Sequence, residues 1–186
     1  MRLFVAVHLP AEVRERLGRA QDRLRGARAD VSWVKPANLH LTLKFLGETE
    51  PKRLERLCAV LAETVAGATP FAVTVTGLGT FGGRVPRVVW AGIGEGAEPL
   101  GALARAVENG FARIGFPKEK RGFTAHLTLG RVRSPTNADA LLTTLRDAAS
   151  DGFGEAPVDR VVLMQSELNP SGSIYTVLKL FPLGTA

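Results

Sequence analysis

Two of the three histidines in this 186-residue chain stand in the same tetrapeptide, His40-Leu41-Thr42-Leu43 and His126-Leu127-Thr128-Leu129. In an extended strand alternate side chains face opposite sides of the sheet. His40 and Thr42 therefore share one face and Leu41 and Leu43 the other, and the second copy divides in the same way. The polar face presents an imidazole and a hydroxyl about 6–7 Å apart, at roughly 3.3 Å per residue. Near neutral pH, imidazole is the side chain best able to exchange a proton. Two such pairs converging on one cleft would suit phosphoester cleavage. One neutral histidine would take a proton from the attacking oxygen, and one protonated histidine would give a proton to the leaving oxygen. The two hydroxyls would hold the non-bridging oxygens. Each acid or base of this kind is worth about 10²–10⁴ in rate, and a strained five-membered cyclic phosphate needs no metal ion to react this way. One histidine in a strand is usually structural; the recurrence with threonine two positions later reverses that reading. His8 has Gly94 as its counterpart and is read as strand-end structure.

The elements around the tetrapeptides also repeat. Hydrophobic periodicity predicts a strand over 2–8, a helix over 11–25, a short strand near 31–34, a strand from Leu39 to Leu46, a helix over 52–66 and a strand over 71–76. The second half reads as a strand near 87–93, a helix near 98–114, a strand over 125–132 and a helix near 138–149, followed by strands at 157–168 and 174–181. Pro10 and Pro51 stand where a first helical turn would begin. A constant offset of 86 residues lays Leu3, Phe4 and Val7 on Val89, Trp90 and Ile93, Leu17 and Ala20 on Leu103 and Ala106, and the first tetrapeptide on the second. This implies a duplicated β-α-β unit. The expected fold is α+β and bilobal, with antiparallel-rich sheets facing a central cleft and helices on the outer faces. Lobe 1 would cover roughly 1–83 and lobe 2 roughly 84–186, in one domain, with room for strand exchange at the C-terminus.

Composition narrows the class. No stretch approaches the ~18 consecutive apolar residues of a membrane span, and the short alternating start reads as a strand rather than a signal peptide. With only one cysteine, Cys58, the chain can form no internal disulfide, which fits a reducing cytoplasm, and Cys58 reads as a packing residue in a helix. The 24 Lys and Arg against 18 Asp and Glu give a net charge of +6, which favours anionic partners such as nucleic acid. Arg16, Arg19 and Arg23 alternate with acids on the first helix and read as a solvated face. A monomer is the default.

With both motifs in place, the sequence resembles the 2H phosphoesterase superfamily, named for two H-x-S/T-x motifs, and within it the bacterial RNA 2′,3′-cyclic phosphodiesterase (2′-5′ RNA ligase-like) family. The similarity takes in Arg2-Leu3-Phe4-Val5-Ala6, Trp33-Val34-Lys35-Pro36-Ala37-Asn38-Leu39 before the first motif and Phe45-Leu46-Gly47-Glu48 after it. It continues through Pro86-Arg87-Val88-Val89-Trp90 and Tyr175-Thr176-Val177-Leu178. The resemblance implies a basic cleft, no metal and no cofactor, and hydrolysis of a terminal 2′,3′-cyclic phosphate to a 2′-phosphate on RNA ends or cyclic nucleotides. By motif position it makes His40 the proton donor to the 3′-oxygen and His126 the base that activates water, with Thr42 and Thr128 on the phosphate. Arg131 resembles a recurrent family arginine that would add a phosphate contact, although it lies an odd number of residues from His126, so that a strand-end twist would have to turn it inward. Phe123 or Tyr175 would stack on the terminal base, with core packing the competing role for each. The family's proline before the second histidine is here Ala125, which loosens the strand entry.

Other signals carry less. Gly77-Leu78-Gly79-Thr80-Phe81-Gly82 matches a dinucleotide-binding glycine pattern, but a strand follows it where that motif requires a helix, so it reads as a flexible loop. No H-x-H or Cys pair supports a metal. Lys35, Lys44, Arg84, Arg87, Lys118, Lys120, Arg121 and Arg133 could line the cleft together with Arg131, most of them as solvated surface. Two other functions use the same cleft: a non-catalytic module that binds RNA ends, and an RNA ligase that runs the reaction backwards to form 2′-5′ linkages.

Overall fold

Alternation of Leu3, Val5 and Val7 along the first segment buries one side of a strand, and Val13, Leu17, Ala20 and Leu24 bury one stripe of the helix that follows. A computed structural model describes residues 1–83, 85–169 and 172–184. In chain order the elements are β1 (Arg2–His8), α1 (Ala11–Arg25), β2 (Val31–Trp33), β3 (His40–Glu48), α2 (Leu54–Ala66), β4 (Phe71–Phe81) and β5 (Val88–Ile93). They continue with α3 (Ala97–Ala112), β6 (His126–Val132), α4 (Ala138–Asp147), β7 (Gly152–Val158), β8 (Arg160–Asn169) and β9 (Gly172–Pro182). Single 3₁₀ turns at Pro36–Asn38 and Pro51–Arg53 precede β3 and α2. No helix among the described residues is long and apolar enough to cross a membrane.

The strands form two antiparallel sheets, ordered β3-β1-β8-β9 and β2-β6-β5-β4-β7. The fold is α+β, with helices packed against the sheets and against each other: α2 on α3 and β9, α3 on β3 and β4, α1 on β7, α4 on β4. The sheets do not divide at residue 83. β8 from the second half pairs with β1, and β2 and β4 from the first half lie in the sheet of β5 and β6. The repeat survives this exchange, because β3-β1-β8 and β6-β5-β4 are the same arrangement built from opposite halves. One continuous apolar core draws on both halves, from Leu3 and Leu17 to Leu103 and Leu163. On the other face of β1, Phe4 and Ala6 join Val162 and Met164 in a second, smaller cluster, with Tyr175 packed against it.

Two predicted elements change. The glycine-rich segment after residue 76 is strand, because β4 runs on to Phe81 through a bulge at Gly77, whose φ is +77°. The glycine at 79 admits an indole ring, since a Cβ there would lie 2.4 Å from Trp90 Cζ2. The segment read as one strand over 157–168 is two. β7 begins at Gly152 and forms a sheet edge, where Pro157 costs no central ladder bond.

Candidate active site

Each motif histidine is the first residue of its strand, and the carbonyl two residues earlier fixes its ring. His40 Nδ1 lies 2.7 Å from the Asn38 carbonyl oxygen, and His126 Nδ1 lies 2.7 Å from that of Thr124. A carbonyl only accepts, so both Nδ1 atoms carry a proton and each Nε2 is left for chemistry. Asn38 and Thr124 correspond at the 86-residue offset, so the ring-setting bond is duplicated with the motif. The approach to His40 is anchored by Asn38 Nδ2, which donates to the Ser173 carbonyl at 2.9 Å. His40 is the more enclosed ring, with Phe4 at 4.9 Å and Tyr175 edge-on at 5.3 Å between centroids. Burial pushes its pKa below the ordinary histidine value; the bond to Asn38 works the other way, and the neighbouring His8 charge adds to the lowering. His8 faces His40 directly across the β1–β3 ladder, a closer relation than a strand-end role implies. His126 meets the ring of Phe81 edge-on, at 4.9 Å between centroids.

Both motif strands carry a bulge at the same place. In β3, Thr42 pairs with Ala6 and Lys44 with Val5, so Leu43 is the extra residue. In β6, Thr128 pairs with Trp90 and Gly130 with Val89, so Leu129 is the extra residue. A bulge sets two residues against one and re-aims the side chains beyond it. Leu43 and Lys44 are both buried, as are Leu129 and Gly130, and the next residues, Phe45 and Arg131, return to the cleft face. The alternation that pointed Arg131 away fails for this reason: a mid-strand bulge turns it, and no strand-end twist is needed. Gly130 is glycine because β2 packs against it, with a Cβ there reaching within 2.6 Å of Val31 Cγ1.

Two adjoining cavities occupy the region. The first, about 420 Å³, is lined by His40, Thr42, Thr128, Arg131 and Tyr175, along with Arg2, Phe4, Phe45 and Ser166. The second, about 340 Å³, is lined by His126, Phe123, Thr124, Arg105 and Arg121, and it shares Thr42 and Phe45 with the first. Thr42 thus stands where the His40 side meets the His126 side. Arg2, Phe4 and Phe45 were missed as site residues. Arg2 and Phe4 could have been found by carrying the alternation of β1 to its second face, and Phe45 as the repeat partner of Arg131. Phe45 is 57% exposed in a strand whose other large apolar side chains are buried. Phe123 and Tyr175 both touch the region while packing against apolar clusters. Of the predicted cations, Arg121, Arg131 and Lys44 line the cavities, Lys44 from within an ion pair with Glu108, while Lys35, Arg87, Lys118, Lys120 and Arg133 line neither cavity and Arg84 lies outside the described residues. Among the described residues, no group of three or more His, Cys, Asp or Glu side chains could hold a metal ion.

The model of the 2′-5′ RNA ligase superfamily matches residues 5–170. The chain belongs to that superfamily. Relatives similar to it over their whole length include the RNA 2′,3′-cyclic phosphodiesterase of Methanothermobacter thermautotrophicus, 39% identical over 98% of this chain and 99% of the relative. The protein of the same name from Archaeoglobus fulgidus is 40% identical over 97% and 99%. Among solved structures of similar fold, TT0787 of Thermus thermophilus superposes with a TM-score of 0.83 at 35% identity, covering 99% of this chain and 98% of that one. E. coli LigT complexed with 3′-AMP superposes with a TM-score of 0.75 at 29% identity, over 98% and 97%. The 2′-5′ RNA ligase superfamily match takes in both histidine motifs and both bulges.

Proposed function

We propose that this chain is an RNA 2′,3′-cyclic phosphodiesterase that opens a terminal cyclic phosphate to a 2′-phosphate with its two motif histidines. The observation that carries the reading is the duplicated unit of histidine, i−2 carbonyl, threonine and bulge, with both threonines on one cavity. Water attacks phosphorus while His126 Nε2 takes its proton. The P–O3′ bond breaks, and His40, protonated on both nitrogens, gives its Nε2 proton to the departing 3′-oxygen. The Thr42 and Thr128 hydroxyls donate to the non-bridging oxygens, and Arg131 adds a charge-assisted bond there. The enclosure that lowers the His40 pKa makes its cation a stronger acid, and the phosphate anion in the cleft favours that cation on binding. Phe45 and Tyr175 offer aromatic surface to the terminal base. Relatives bearing this activity in their names support the substrate class.

A second reading rests on the cavity beside His126. At about 340 Å³ it is far larger than the ~30 Å³ share of one water. An RNA 5′-hydroxyl attacking phosphorus in place of water, its proton taken by His126 and the same P–O3′ bond breaking, would form a 2′-5′ linkage; hydrolysis dominates unless the two ends are held together. The test is to incubate RNA ending in a 2′,3′-cyclic phosphate with the protein and EDTA. The expected result is undiminished conversion to a 2′-phosphate end. Binding without turnover, or a 3′-phosphate product, would refute the assignment.

A further inference from the structure

Besides the Asn38–Ser173 bond, two buried polar links beside the site run between the halves, and neither belongs to the reacting groups. On β3, Lys44 follows the extra residue of the bulge and is 1% exposed in its side chain, yet it carries an ammonium group. Its Nζ donates to Glu108 Oε2 on α3 at 3.0 Å and to the Pro117 carbonyl at 2.9 Å. Glu108 Oε1 in turn accepts the backbone N–H of Glu119 at 2.6 Å. Pro117 and Glu119 begin the irregular segment that ends at Thr124, whose carbonyl sets the His126 ring. The first motif strand therefore anchors the approach to the second histidine.

The converse link is present as well. Gln21 on α1 is fully buried, and its Nε2 donates to the Leu129 carbonyl at 2.9 Å and to the Val34 carbonyl at 2.7 Å. Leu129 is the bulge residue of the second motif strand, and Val34 lies in the segment leading to Asn38 and His40. The Val34 N–H also donates to the Leu129 carbonyl, at 2.8 Å. Gln21 and Glu108 fall within one residue of each other at the 86-residue offset, on the same helix of each half. A buried ion pair rarely stabilises a fold more than apolar residues of the same volume would. Its presence at a bulge beside the site calls for a role in placement.

We propose that Lys44–Glu108 and Gln21 are reciprocal positioning latches, each tying the segment that presents one histidine to the bulge of the other histidine's strand. Ala125, just before His126, adds no ring restraint of its own, so the Lys44 latch carries more of the placement on that side. The catalytic consequence rests on the reaction proposed above, but the placement itself can be read without turnover.

The test compares Lys44→Met/Glu108→Leu with Gln21→Met in otherwise intact protein. The double variant removes both charges at once, a change that folded proteins commonly tolerate, and an unchanged thermal midpoint verifies it. Amide exchange, ¹⁵N signals of the histidine rings, and kcat and KM on a 2′,3′-cyclic nucleotide are measured together. For the double variant, exchange over 117–125 should speed and the His126 ring signals should move, while those of His40 stay. Its kcat should fall about 10- to 100-fold, as expected for a group displaced by ~1 Å, with KM within about threefold. Gln21→Met should act on residues 31–39 and on His40 instead. Effects falling on the histidine of the substituted strand itself, or folded variants with wild-type exchange and ring signals, would overturn the proposal. Absence of turnover in the unsubstituted protein would defeat the reaction assigned above and leave exchange and ring signals to decide the latches.

Discussion

The two motif strands begin alike and end differently. β3 and β6 share a tetrapeptide, a histidine fixed by an i−2 carbonyl at 2.7 Å, and a bulge after the threonine. The shared part is what proton exchange and phosphate binding require, and it lies at or before the bulge. The bulged-in partner is Lys44 in one copy and Gly130 in the other, and the residue turned to the cleft is Phe45 in one and Arg131 in the other. Divergence therefore begins just beyond the residues proposed to hold the phosphate. One strand offers an aromatic surface and the other a cation, which is how a symmetric scaffold can bind a ligand that is base at one end and anion in the middle. The surroundings of the histidines differ in the same sense, His40 being enclosed by Phe4 and Tyr175 and His126 meeting Phe81 edge-on.

The largest effect should come from removing either half of the shared part. His40→Ala and His126→Ala should each lower kcat about 10²–10⁴-fold, and the double variant should lose much less than the product of the two, because the groups act as a unit. Steady-state rates on a cyclic nucleotide decide this, and full activity in both single variants would end the account. Next come the phosphate contacts. Arg131→Met and Thr128→Val should each cost about 10- to 100-fold in kcat/KM, the worth of a hydrogen bond to a charged group. Equal losses on every substrate base would separate this from base recognition. Phe45→Ala should raise KM about fivefold with kcat held, as expected for ~1 kcal/mol of stacking. A loss confined to kcat would contradict the division of labour between Phe45 and Arg131.

The smallest effect is on stability. Burial lowers the folded-state pKa of His40, and burial followed by Arg14 lowers that of His8, so the native protein binds fewer protons than the unfolded chain just below pH 6.5. Stability from this source is complete above about pH 6.5 and is lost as pH falls through the lowered values. Denaturant midpoints should decline from pH 7.5 to pH 5, and His40→Gln should flatten the decline. An unchanged slope would show that the enclosure of His40 has no such consequence.

The strands, helices and duplication were legible because period-two and period-3.6 burial write themselves directly into Leu41, Leu43, Leu127, Leu129 and the apolar stripe of α1. The histidine and threonine positions followed from the same alternation. Other features depend on partners far along the chain. A bulge is visible only as a count across the ladder, so Arg131 read as facing away, and Phe45 drew no attention as a cleft residue. The glycine at 79 signalled a loop because the ring that fills its place belongs to Trp90 on the next strand. Lys44 does line the cavity beside His126, but the ion pair that buries its charge could not be read because Glu108, its partner, is 64 residues away. The exchange of β4 and β8 between sheets leaves no local mark, since both halves spell the same pattern.

The central claim is that His40 and His126 address one phosphate, and the chain's three histidines make it directly readable. Protein labelled with ¹⁵N in histidine would be titrated with a nucleoside 2′-phosphate while the ring nitrogens are followed. The account predicts that the Nε2 signals of His40 and His126 shift along a single binding isotherm, with Nδ1 of each still protonated. Separate isotherms for the two histidines, or movement of only one, would contradict it.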